Sequence, residues 1–105
     1  MDFVQFSIFT SMERNHAIMA VREAIAGSQG WIVDQSLFSN TATTISFEMP
    51  STSRQNFLSG LVDAGLTAHI EREVSSSDTG DFRGIISMTF AHDEPDLKRD
   101  VPPFG

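Results

Sequence analysis

His69, Glu71 and Glu73 alternate along one short stretch, and these are the residues whose types and spacing come closest to a chemical site. Every second side chain of a strand falls on the same face, so H-x-E-x-E would set one imidazole beside two carboxylates, acceptable spacing for ligands to a divalent ion. The same pattern describes a charged edge strand that resists further pairing, and this is the preferred reading. No metal site is assigned on it. His92-Asp93-Glu94 forms a second acidic cluster. If the last two strands pair as a hairpin with Ile70, Val74, Met88 and Phe90 on one face, strict alternation sends His69 and His92 to opposite faces, which disfavours a shared site. His16, inside a helical segment, reads as an ordinary surface or half-buried histidine.

Arg72 lies between Ile70 and Val74 and so falls on the nominal core side, where an inward-pointing charge guards an edge strand against aggregation. An anionic small ligand would be held by Arg72 and Arg83, with His69 as a third candidate ligand-binding residue. Nucleophilic catalysis lacks a motif: no G-x-S-x-G elbow occurs among the many serines. The glycines are placed for turns instead of for cradling phosphate, since Gly27-Ser28-Gln29-Gly30 follows a helix where a phosphate loop would open one. No catalytic residue and no cofactor are expected.

The elements that must position these residues are legible from hydrophobic period. Residues 3–10 alternate with Val4, Phe6 and Ile8 on one side. Thr10-Ser11-Met12-Glu13 has the form of a capping box, and the segment to Ala26 carries Ile18, Val21 and Ile25 at helical spacing, with Gly27 as a left-handed cap. Residues 31–38 and 43–49 read as a hairpin, the first strand setting Trp31, Val33, Gln35 and Leu37 on one face and Ile32, Asp34, Ser36 and Phe38 on the other. Pro50 ends the hairpin. Phe57, Leu58, Leu61 and Val62 form the apolar stripe of a second helix that ends at Gly65, with Leu66 placed for the contact that follows a glycine C-cap. Two further strands, 68–74 and 84–92, are separated by a polar loop.

The order β-α-β-β-α-β, with an additional C-terminal strand or an extended final hairpin, is the pattern of a ferredoxin-like α+β sandwich, two helices on one face of a mostly antiparallel sheet. That layout carries regulatory domains of the ACT type, RNA-binding modules, small monooxygenases and metallochaperones, so it implies no single chemistry. Its informative feature is the sheet face without helices. Phe3, Phe9, Ile32, Phe38 and Ile85 are expected there among small hydroxyl residues, more apolar bulk than a solvated face carries.

Composition narrows what could cover that face. The chain has 105 residues, 14 Asp and Glu against 7 Lys and Arg, and no Cys. This length supports one core, and the absence of cysteine removes disulfides and thiol chemistry. The arginines are scattered and the net charge is −7, so neither nucleic acid nor an anionic membrane is an expected partner. No apolar run approaches the ~20 residues of a membrane span. The N-terminus carries Asp2 where a secretory signal would carry Lys or Arg, and the chain reads as cytoplasmic.

Residues 1–92 are read as one α+β domain and residues 93–105, charged and containing three prolines, as a tail. The resulting expectation is a non-catalytic regulatory or ligand-binding domain that forms a homodimer through its open sheet face or an edge strand, with a small molecule as a possible ligand. Two alternatives stand beside it. One is a cofactor-free enzyme of the dimeric α+β-barrel type, with an apolar substrate in a sheet–helix cavity lined by Phe, Met and Trp31. The other is a protein-interaction adaptor.

Overall fold

A computed structural model describes residues 1–75 and 80–91. Its elements are β1 (Asp2–Thr10), α1 (Arg14–Gly27), β2 (Trp31–Ser39), β3 (Ala42–Pro50), a single 3-10 turn (Ser51–Ser53), α2 (Arg54–Asp63), β4 (Ala68–Val74) and β5 (Asp81–Phe90). The five strands form one mixed sheet in the order β2-β3-β5-β1-β4. The fold is therefore α+β and compatible with a ferredoxin-like type of arrangement.

One core holds it together. The alternating positions Val4, Phe6 and Ile8 of β1, Ile45, Phe47 and Met49 of β3, and Phe82, Ile86 and Met88 of β5 are buried with Ala17, Val21 and Ile25 of α1 and Phe57 and Leu61 of α2. Its centre is a group of rings. Phe47 lies 6.2 Å from Phe6, 5.2 Å from Phe57 and 5.9 Å from Phe82 between centroids, stacked at 22° on the first, tilted on the second and edge-on to the third, and aromatic quadrupoles favour stacked and edge-on geometries at such separations.

Local signals set the helix ends, though not always the ones expected. The C-terminus of α2 closes as anticipated: Gly65 takes a φ of +89°, its N–H donates to Val62 O, and the Leu66 N–H donates to Leu61 O at 2.8 Å. Leu61 and Leu66 are both buried, which completes a Schellman motif. At the start of α1 the capping box does not form. The Glu13 carboxylate is itself the N-cap, accepting from the Asn15 and His16 amides at 2.9 and 3.0 Å, while Thr10 Oγ1 accepts from the Met12 N–H. At the other end α1 runs through Gly27, and the left-handed residue is Gln29, φ 64°.

The two amide hydrogen bonds to Glu13 hold its carboxyl below the usual glutamate range. A depressed folded-state pKa contributes stability above the unfolded pKa and loses it as pH falls through the folded value. Glu13→Ala is accordingly expected to lower the melting temperature at pH 7, with the gap to the parent closing as pH is lowered through the carboxylate range. Thermal melts followed by circular dichroism would show a pH-independent gap if the cap were irrelevant.

The fifth strand is present, but the final hairpin is not. β5 inserts between β1 and β3, parallel to β1 and antiparallel to β3, and β4 pairs antiparallel with the far side of β1. The physical reason is burial. β5 is apolar on its helix side and supplies Phe82, Ile86, Met88 and Phe90 to the core, so a central place buries it, whereas β4 carries Glu71, Arg72 and Glu73 and suits an edge. β4 and β5 are not neighbours, so no hairpin between them sets His69 against His92, and His92 with residues 93–105 lies outside the described residues.

Three β-bulges overturn the expected parity of the two edge strands. In β2 the register steps from Ile32 opposite Phe47 to Asp34 opposite Ser46, leaving Val33 unpaired, and it steps again between Leu37 and Ser39, leaving Phe38 unpaired. In β4 it steps from Arg72 opposite Gln5 to Ile70 opposite Phe6, leaving Glu71 unpaired. Each extra residue reverses which face the following residues occupy. Ile32, expected on the open face, packs against the core, and Trp31 moves to the open face beside Glu48. Val33, expected in the core, is the unpaired residue and is 45% exposed, while Leu37 keeps the expected helix side opposite Thr43 but is 59% exposed at the sheet edge. Gln35 stays on the helix side, where Arg22 donates to it at 3.0 Å. Arg72 is not inward-pointing, because the bulge places it on the open face. Glu73 leaves the face of His69 and pairs with Arg54 at 2.9 Å, and that guanidinium also lies over the Phe82 ring.

Candidate functional site

The open face of the sheet is built from cross-strand rows, each with one residue per strand in the order β2, β3, β5, β1, β4. Three complete rows follow from the registers: Trp31–Glu48–Arg83–Phe3–Val74, then Asp34–Ser46–Ile85–Gln5–Arg72, then Ser36–Thr44–Ser87–Ser7–His69. A fourth, Ser39–Ala42–Thr89–Phe9, ends at β1. Alternation against the buried positions places these residues together.

The rows differ in chemistry. The first is aromatic and aliphatic around one ion pair, in which Arg83 donates to Glu48 Oε2 from Nε at 3.0 Å and from Nη2 at 2.5 Å. Ile85 stands at the middle of the second. The third is almost wholly hydroxyl, and there Ser7 donates to Glu71 Oε2 at 2.5 Å, which shows that the bulged Glu71 reaches the same face. Phe9 in the fourth row is 72% exposed. Phe38, at the second bulge of β2, is 71% exposed. Phe3 and Ile85 are half-buried.

Arg72, Arg83 and His69 therefore share one face, although Arg72 arrives there by a route that alternation does not provide. They do not converge. Arg83 is held by Glu48, and Arg72 and Arg83 stand two strands and one row apart, about 12 Å between Cα atoms. Arg72 and His69 occupy adjacent rows of the same edge strand, with Glu71 between them. Among the described residues no group of three or more His, Asp and Glu is placed to hold a metal ion. H-x-E-x-E is broken as a ligand set because its third member, Glu73, faces α2.

His16 lies elsewhere, in a solvent-open groove of about 500 Å³ between α1 and α2 with Met19, Ala20, Glu23, Ala24, Gly60 and Ala64. This is a seam between helices whose small residues let the backbones approach; an added Cβ at Gly60 would stand 3.7 Å from Ala24 Cβ. The space between sheet and helices is filled by Phe6, Phe47, Phe57 and Phe82. Trp31 is not there; it is on the open face and 48% exposed.

Trp31, Arg72 and Val74 are the members of this face that hydrophobic period did not place there, whereas Asp34 and Glu48 fall on it by alternation. Glu48 and Arg83 could have been paired once β3 and β5 were known to be neighbours, but Trp31 had no signal, since nothing local marks the bulge at Val33. Among the described residues no helix is long and apolar enough to cross a membrane. In comparison with known proteins, no family model matches the chain, and no curated protein or solved structure is significantly similar to it.

Proposed function

We propose that the chain is a non-catalytic regulatory or ligand-binding domain that self-associates through the open face of its sheet. The observation that carries this reading is the face itself, where Phe3, Phe9, Trp31, Ile85 and Val74 lie among small hydroxyl side chains, opposite the buried face against which α1 and α2 pack. Exposed bulk of this kind marks an interaction surface more often than a solvated one, and a homo-oligomer with twofold symmetry is the commonest way to cover it. A small anionic ligand on this face would meet Arg72 and His69, the two cationic or titratable side chains of the β4 edge that engage no side-chain partner among the described residues.

The finer fold assignment belongs to the same reading. With β5 set aside, the order β2-β3-β1-β4 and the antiparallel sense of each implied neighbour are those of a ferredoxin-like sheet, into whose middle β5 has been inserted. The enzyme alternative requires a substrate cavity between sheet and helices, and the four phenylalanine rings occupy that space.

Sedimentation equilibrium of the full chain at high micromolar concentration is expected to give a mass twice the 11.6 kDa of one chain. A single species at the chain mass throughout would overturn self-association. A metabolite screen by thermal shift tests the ligand, because binding to the native state alone raises its stability.

A further inference from the structure

Asp34 and Arg72 stand at opposite ends of a single row, on the two edge strands, with Ile85 of the central strand midway between them. Each is exposed, and among the described residues neither has an ion-pair or side-chain hydrogen-bond partner. The neighbouring charges of the face are already engaged, Glu48 with Arg83 and Glu71 with Ser7. One row thus presents an unmatched negative charge at one end and an unmatched positive charge at the other.

Resting on the self-association reading above, we propose that a second copy of this chain covers the face about a twofold axis that runs along β5 past Ile85, so that Asp34 meets Arg72 of the partner subunit at both ends of the row. Rotation about an axis parallel to the strands exchanges the two edges of the sheet and keeps every row at its own level. It carries the Asp34 end of one row over the Arg72 end of the other, twice, as an isologous interface requires. The same operation sets Ile85 on its own symmetry mate at the centre, Trp31 over the partner subunit's Val74 and Phe9 over the partner subunit's Ala42. An axis across the strands would instead lay each edge on itself, with Arg72 near the partner subunit's His69 and both Asp34 carboxylates left without a cation. Complementary potentials fix register in this way at interfaces generally.

The dimensions allow it. Five strands about 4.8 Å apart and four rows spanning about eight residues give a face of roughly 24 by 27 Å, a footprint of about 650 Å² before side-chain relief is counted, near the ~800 Å² per partner of a standard interface. Packed sheets are turned by about 30°, which displaces a residue about 10 Å from the axis by about 5 Å, and a long arginine side chain spans that offset. The hydroxyl row keeps the middle of the face low enough for two sheets to approach.

Charge reversal separates this inference from the reading beneath it. At low ionic strength, where exposed pairs are least screened, Asp34→Arg and Arg72→Asp are each expected to weaken the dimer at least about tenfold in Kd, since each converts two attractive contacts into two repulsive ones. The double variant D34R/R72D restores both pairs in reversed sense and is expected to return to within about threefold of the parent. Both positions are exposed, and far-ultraviolet circular dichroism verifies that the variants fold. A dimeric parent whose single variants bind normally, or whose double variant is as weak as the product of the singles, overturns the axis and leaves self-association standing. A parent that remains monomeric overturns both and leaves the face to the C-terminal segment or a small ligand.

Discussion

Replacing Phe47 with alanine is expected to lower the free energy of unfolding by about 3–5 kcal/mol, the range for removing a large aromatic side chain from a packed core. Phe47 is fully buried and meets Phe6, Phe57 and Phe82, so it joins β1, β3, β5 and α2 in one contact set. A cavity there cannot collapse without moving several elements, which puts the loss toward the upper end of the range. Domains of this size have only about 5–15 kcal/mol in hand. Urea denaturation should show the midpoint falling steeply, or no cooperative transition at 37 °C, and a loss under about 1 kcal/mol would mean that the ring cluster does not organise the core.

Gly84→Val is the second large effect, and it comes from the same place. Gly84 is the direct cross-strand partner of Phe47, and a Cβ added there would lie 2.3, 2.6 and 2.9 Å from three atoms of the Phe47 ring. The ring covers the glycine, a pairing that lets a strand carry a residue without side-chain packing of its own. Such contact is tolerable only if the ring can turn away, and three other phenylalanines box it in. Valine has the better strand propensity, so destabilisation by about 3 kcal/mol or more would isolate the steric cost. The two positions must also couple. In F47A/G84V the new side chain enters the space that the ring vacates, so the double variant should be more stable than the sum of the singles predicts, by over about 1 kcal/mol. Strict additivity would show that the ring and the glycine do not share the site.

Much of this molecule is written in short-range pattern. The period-2 runs at Val4, Phe6 and Ile8 and at Ile45, Phe47 and Met49 name core residues correctly, because side-chain alternation is a local property of an extended backbone. The end of α2 is equally local, since Gly65 alone supplies the left-handed conformation that the Schellman motif needs. The N-cap of α1 shows where local rules compete. Thr10 and Glu13 both offer oxygen acceptors, and it is the Glu13 carboxylate that takes the first amides of the helix.

The candidate site is a different matter. Its membership turns on the unpaired residues Val33, Phe38 and Glu71, and a bulge is a relation between two strands, so neither strand's own sequence displays it. The bulge at Val33 takes Ile32 into the core and brings Trp31 out, and that at Glu71 carries Arg72 to the open face and Glu73 to Arg54. The insertion of β5 between β1 and β3 is likewise a choice among distant partners, made by the burial it achieves. It also places Ile85 midway between Asp34 and Arg72 and sets Arg83 beside Glu48.

What the amino-acid sequence determined by itself was an acidic, cysteine-free α+β chain with two helices, five strands and an apolar, hydroxyl-rich sheet face. These follow from composition and from periods that need only neighbouring residues. The tertiary structure alone decided that Arg72 and Arg83 join Asp34 and Glu48 on that face and which of these charges pair among the described residues, because strand order and register are settled by contacts between segments far apart in the chain, where hydrophobic burial outweighs local alternation.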